Sequence, residues 1–178
     1  MKEPAKGLVI VFTGDGKGKT TAAMGMALRA AGHGLKCLMI QFIKGGWRYG
    51  ELEAAKRLSP DFEMIPMGKG FIRPDKGGPA PEDLKAIRDA WNLFREKMAK
   101  QAYRMIILDE INNVVSMGLL PVEEVLAAIE TKPRELHLVL TGRGAHPRII
   151  ESADLVTEMR EVKHPFHGGV QAQKGIEY

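Results

Sequence analysis

Cysteine is almost missing from this chain. Cys37 is the single one in 178 residues, so neither an internal disulfide nor a cysteine-rich zinc site can be built. It falls in the apolar run KCLMIQFI, where a small thiol reads as core. Aromatic residues make up only 6%, and the lysines and arginines are scattered rather than gathered into a tail. The formal charge of +4 and pI near 9.2 therefore do not indicate nucleic acid as a partner, because a site for a polyanionic nucleotide accounts for the same excess. No apolar run is long enough to span a bilayer, and no charged-then-apolar leader opens the chain. The expectation is a cytoplasmic protein with no membrane partner.

What is present is an alternation of short apolar runs and helical stretches. Residues 7–13 (GLVIVFT), 36–43 (KCLMIQFI), 62–67, 103–110 (YRMIILDE), 135–142 (ELHLVLTG) and 154–162 read as strands. Residues 19–32, 51–58, 81–102 and 121–131 read as helices, and 68–81, rich in Gly, Pro and charge, as a long exposed loop. In the longest helix Leu84, Ile87, Trp91 and Phe94 fall on one face, which assigns Trp91 to the core. With no repeat and no linker, residues 1–178 are expected to form a single domain. Its fold class is α/β, a doubly wound, mostly parallel sheet with helices on both faces.

The first strand runs into TGDGKGKTT, a strand–loop–helix turn whose backbone N–H groups and helix dipole converge on an anion. The phosphate-loop pattern G-x-x-x-x-G-K-[ST] is met except at its first position, where Thr13 replaces glycine. That loss removes a tight-turn position and none of the groups that touch phosphate. Lys19 can reach the terminal phosphates, and the Thr20 hydroxyl can bind Mg²⁺. About ninety residues on, MIILDE ends an apolar strand with Asp109 and Glu110, where a carboxylate holds a metal or its water shell. Together the segments specify a Mg²⁺–nucleoside triphosphate and leave the reaction open.

The wider text narrows it. FTGDGKGKTTAAMGMALRAAGHG, QFIKGGWRYGE, GFIRP, IILDEINN, TGRGAHPRIIESADLVTEMREVKHPF and GVQAQKGIEY occur in one order from Gly7 to Tyr178. This series resembles the P-loop type ATP:corrinoid adenosyltransferases, which act on cob(I)alamin or cob(I)yrinic acid a,c-diamide. The resemblance implies a P-loop NTPase-like fold and transfer of the 5′-deoxyadenosyl group of ATP to the Co(I) of a reduced corrinoid, with triphosphate as leaving group. It implies Mg²⁺ (or Mn²⁺), a homodimer, and an electron-donor flavoprotein as a partner. The corrinoid would be cobalamin, cobinamide or cobyrinic acid a,c-diamide.

Matching motif positions give the triphosphate to Gly14, Asp15, Gly16, Lys17, Gly18, Lys19, Thr20 and Thr21, with Lys19 as the main cation. The resemblance makes Thr20 and Glu110 metal ligands with Asp109 beside them, and brings Arg29 and Arg143 to the nucleotide. Phe71 matches an aromatic that helps reduction by excluding the axial ligand from cobalt, while Trp47 and Tyr49 stand in a second loop that could face the corrinoid. His146 and His164 match family positions and read as capping or core residues. Two departures concern corrinoid capping and leave ATP binding untouched. Arg73 stands where family members commonly carry Trp, and only six residues precede Gly7 where many have a longer arm. The rival reading is a P-loop ATPase or small-molecule kinase in which Glu110 activates water or a hydroxyl.

Overall fold

The computed structural model describes residues 6–45, 49–70 and 78–176. Six strands form one sheet in the order β3-β2-β4-β5-β1-β6. They are β1 (Val9–Thr13), β2 (Cys37–Gln41), β3 (Phe62–Pro66), β4 (Met105–Asp109), β5 (His137–Thr141) and β6 (Leu155–Glu158). All five pairings are parallel, so the expected mostly parallel sheet has no antiparallel member among the described residues. β1, β2 and β4 are buried along their whole length, as uninterrupted apolar strands covered on both faces must be.

The helices are α1 (Lys19–Ala31), α2 (Gly50–Arg57), α3 (Pro81–Ala99), α4 (Ile111–Ser116), α5 (Val122–Thr131) and α6 (Pro147–Ser152). α1 lays Ala23, Ala27 and Ala30 against Ile10, Phe12 and Met39, and this small-residue stripe lets the helix lie close to the sheet. On the other face α3 buries Ile87, Ala90, Trp91 and Phe94 among Leu38, Ile40, Ile106 and Leu108. Trp91 is core, its ring 5.0 Å from that of Phe94. Truncating such a side chain to alanine costs about 3–5 kcal/mol. Leu84, expected on the same stripe, is instead 44% exposed, because the buried stripe begins one turn later with Ala86 and Ile87. Cys37 is buried, and burial pushes its thiol up to about 11, consistent with an inert core residue.

Two helices, α4 and α6, lie outside the sequence reading, and β6 is shorter than the expected 154–162. β6 pairs with β1 only through Glu158, after which Met159 and Arg160 lie against the glycine loop. No helix among the described residues is long and apolar enough to cross a membrane. The register brings Gln41 beside Asp109, Leu108 beside Leu140, and Thr141 beside Phe12. The carboxyl ends of four central strands thus form one rim, the position at which open α/β sheets bind ligands.

Candidate functional site

Thr13 is the last residue of β1, still extended, and its hydroxyl accepts the Ala145 N–H at 3.2 Å. The glycine missing from the pattern is not needed there, since the left-handed turn falls on Gly14 (φ 92°) and Gly18 (φ 117°). Thr13 instead ties the loop to the segment after β5. Gly16 has a different duty. A Cβ at this position would stand 2.7 Å from the Arg160 carbonyl carbon, and its N–H donates to Met159 O at 2.7 Å. That donor is engaged by the chain in this structure, while Gly16 lines the cleft with the rest of the loop. Gly18 caps α1 without a side-chain bond, leaving the first-turn N–H groups facing the cleft.

Lys19 lies folded back over this loop, donating to Gly14 O at 2.5 Å and Gly16 O at 2.7 Å. Burial, and then the nearby Arg143, lower its pKa, while Asp15 and Glu110 work against the shift. An anion in the loop offers this ammonium better acceptors than two carbonyls do. Asp15, Lys17, Gly18, Thr20 and Thr21 line the same cleft.

Behind the loop lies a buried row of polar side chains. Asp109 is 0% exposed, and its Oδ1 accepts the Thr20 hydroxyl at 2.8 Å and the Thr141 hydroxyl at 2.7 Å. Its Oδ2 accepts Gln41 Nε2 at 3.0 Å. Both carboxylate oxygens accept hydrogen bonds, which stands Asp109 one hydrogen bond behind Thr20 and beside Glu110. Thr141, at the end of the strand between β4 and β1, also accepts the Glu110 N–H at 2.9 Å.

Glu110 turns the chain from β4 into α4 in a single left-handed residue (φ 66°), which aims its side chain at the cleft. Its pKa is raised to about 7, first by burial and then by Asp109, against the pull of Lys44, Arg143 and Lys19. Its Oε2 is buried with no partner among the described residues. Arg143 enters from the loop after β5. Its backbone N–H donates to Asn113 Oδ1 at 2.9 Å, and its guanidinium reaches Asp15 O at 3.3 Å and the Asp15 carboxylate at 3.8 Å.

The cleft has a volume of about 890 Å³, near the upper end of the roughly 300–1,000 Å³ usual for ligand pockets. It continues past the phosphate loop between α1 and α2, where Met24, Leu28, Ala54 and Leu58 line it. Lys44 borders it, 3.4 Å from Glu51 and 5.2 Å from the Tyr49 ring centre, so Tyr49 anchors this loop. Arg29 is exposed in the last turn of α1, ten residues and about 15 Å of helix from Lys19, and does not line the cleft. His146 and His164 cap, each accepting a backbone N–H at 3.2 Å, from Arg148 and Phe166. Phe71, Arg73 and Trp47 lie outside the described residues. Gln41, Lys44, Asn113 and Thr141 are cleft or rim residues to which sequence reasoning gave no role.

The family model described as ATP:corrinoid adenosyltransferase BtuR/CobO/CobP matches residues 5–178. The corrinoid adenosyltransferase of Escherichia coli (strain K12) is 43% identical over 173 residues, covering 97% of this chain and 86% of that protein. The corrinoid adenosyltransferase CobA of Salmonella typhimurium (strain LT2) is 42% identical with the same coverage. Among solved structures, flagellar accessory protein FlaH from Methanocaldococcus jannaschii aligns with a TM-score of 0.51 at 14% identity. That match covers 86% of this chain and 71% of FlaH, a likeness of fold alone.

Proposed function

The chain belongs to the ATP:corrinoid adenosyltransferase family BtuR/CobO/CobP, and from that premise we propose how its cleft performs the reaction. The protein transfers the 5′-deoxyadenosyl group of ATP to the cobalt of a reduced corrinoid. The Co(I) electron pair forms a bond to C5′ while the C5′–O bond breaks, and that bond's electrons leave with triphosphate. No proton moves at the reacting atoms, so a general base is not required. What remains for the protein is to align cobalt with C5′ and to stabilise charge on the departing group.

The observation that carries the second task is the convergence of Lys19, Arg143 and the start of α1 on one wall of the cleft. In this reading Lys19 releases the loop carbonyls and follows the triphosphate. Gly14 and Gly16 hold the loop's shape, and the first-turn N–H groups from Lys19 to Thr21 bind phosphate oxygens. Arg143, tethered by Asn113, closes on the same charge.

The donor set also fits Mg²⁺ (or Mn²⁺). The Thr20 hydroxyl donates its hydrogen bond to Asp109 and keeps lone pairs for a cation, and Glu110 holds a buried oxygen with no partner among the described residues. No three His, Cys, Asp or Glu gather at a metal position among the described residues, which suits an ion that keeps phosphate oxygens and waters. When bound, the cation neutralises charge on the triphosphate.

Reaching Co(I) needs an electron donor, for which a flavoprotein is the expected partner, and the work is assigned to a cytoplasmic homodimer. The open outer edge of β6, with Leu155 and Val156 exposed, supports the dimer. Inorganic triphosphate tests the grip on the leaving group. It should compete with Mg-ATP in equilibrium binding, and a protein that binds ATP but ignores triphosphate would contradict this reading.

A further inference from the structure

We propose that Gln41 is a positioning residue for the cation–triphosphate site, acting through Asp109. The inference rests on the reading that the cleft holds a metal–nucleotide. Gln41 ends β2 and is 0% exposed, a costly place for an amide unless its polar atoms have work. Its orientation is dictated by chemistry. Only the Nε2 end can face the Asp109 Oδ2, because the oxygen would repel it.

Gln41 supplies the hydrogen bond to Oδ2 among the described residues, while Thr20 and Thr141 share Oδ1. Asp109 is thereby held by three uncharged donors, one from the end of β2, one from the start of α1 and one from the end of β5. With Oδ2 fixed, Oδ1 stays beneath Thr20, the Thr20 O–H stays directed at Asp109, and the hydroxyl lone pairs are left for the cation. Without Gln41 the carboxylate is free to turn toward the cleft and take the cation itself or release Thr20.

A second observation concerns the side chains next to Asp109. Gln41 Oε1 and Glu110 Oε2 are both buried acceptors with no donor among the described residues. One is on the side chain bonded to Asp109 and the other on its neighbour in sequence. Waters held by a cation would be donors to the cleft-lining Glu110, whereas Gln41, which does not line the cleft, acts through Asp109.

The test uses Mn²⁺ titrated into ATP-saturated protein, read by electron paramagnetic resonance with no corrinoid present. Gln41→Met, which keeps length and removes the amide, should weaken Mn²⁺ about 10- to 100-fold, the usual effect of an outer-sphere partner. Metal-free ATP binding should stay close to that of the wild type. Gln41→Leu, of similar volume and leaving Thr141 to hold both Asp109 and the Glu110 N–H, should move Mn²⁺ in the same direction and provides the reading should Gln41→Met fail to fold. Variants that bind Mn²⁺ as the wild type does, or that lose metal-free ATP equally, would overturn the proposal. Wild-type protein that fails to retain Mn²⁺ would overturn the metal–nucleotide reading beneath it, a distinguishable result.

Discussion

The two rims of the sheet treat charge in opposite ways. At the amino ends of β2, β4 and β5, Lys97 stands 3.7 Å from Glu63 and 3.4 Å from the Tyr103 hydroxyl, and Arg104 pairs with Glu135. Nearby Lys132 donates to Gly7 O at 2.8 Å and Leu136 O at 3.0 Å. At the carboxyl rim Lys19 bonds to loop carbonyls, Arg143 reaches the Asp15 carboxylate only at 3.8 Å, and Glu110 keeps a buried oxygen with no partner among the described residues. One rim is completed by folding. The other is left for an anion and a cation to complete, and a ligand that does so stabilises the fold by mass action.

The largest break in this comparison should come from Lys19→Met. Losing a preorganised cation at the leaving group should lower kcat/KM about 10²- to 10³-fold. The melting temperature should stay close to that of the wild type, because only loop carbonyls lose a partner. Steady-state kinetics beside a thermal melt would separate the two effects.

Glu110 provides the next contrast. Its folded pKa of about 7 lies above its ordinary 4.5, so between these values the folded state binds more protons than the unfolded one. The Glu110 contribution to the stability of the ligand-free protein should therefore be fully present below pH 4.5 and be lost as pH rises through 7, by on the order of 3 kcal/mol. Glu110→Gln should flatten that part of the profile in denaturant unfolding from pH 5 to 7.5. An unchanged slope would remove Glu110 from the account. Mg-ATP binding should tighten over the same range, since the carboxyl must lose its proton to hold a cation.

The smallest effect should come from the finished rim. Glu135→Gln breaks the Arg104 pair in a part-exposed setting and should cost under about 1 kcal/mol by denaturant unfolding, with transfer activity unchanged. A loss of activity there would mean that the two rims communicate.

The phosphate loop, the Asp109–Glu110 strand end and the doubly wound sheet were legible because each depends on local chemistry: glycines before a helix, an apolar run ending in acid, alternating periods. Gln41 and Thr141 were not. Each closes an apolar strand and reads as an unremarkable boundary until the register sets 41 beside 109 and 141 beside 12. α4 was hidden because Glu110 makes the strand-to-helix turn alone, leaving no loop to mark it. The expected strand over 154–162 was too long because Val, Thr and Met suit a ladder equally well before and after Glu158. Only the contact between Met159 and the loop shows where pairing stops. The bond from the Gly16 N–H to Met159 was hidden for the same reason, its partner lying over 140 positions away.

The most direct test of the central claim is a single-turnover reaction of the protein with Mg-ATP and chemically reduced cobalamin under anaerobic conditions, with corrinoid spectrum and phosphate products followed together. The account predicts a light-sensitive adenosylated corrinoid and triphosphate in equal amounts. ADP or free phosphate without a cobalt–carbon product would contradict it, because the loop would then be handling a reacting phosphate rather than holding a leaving group.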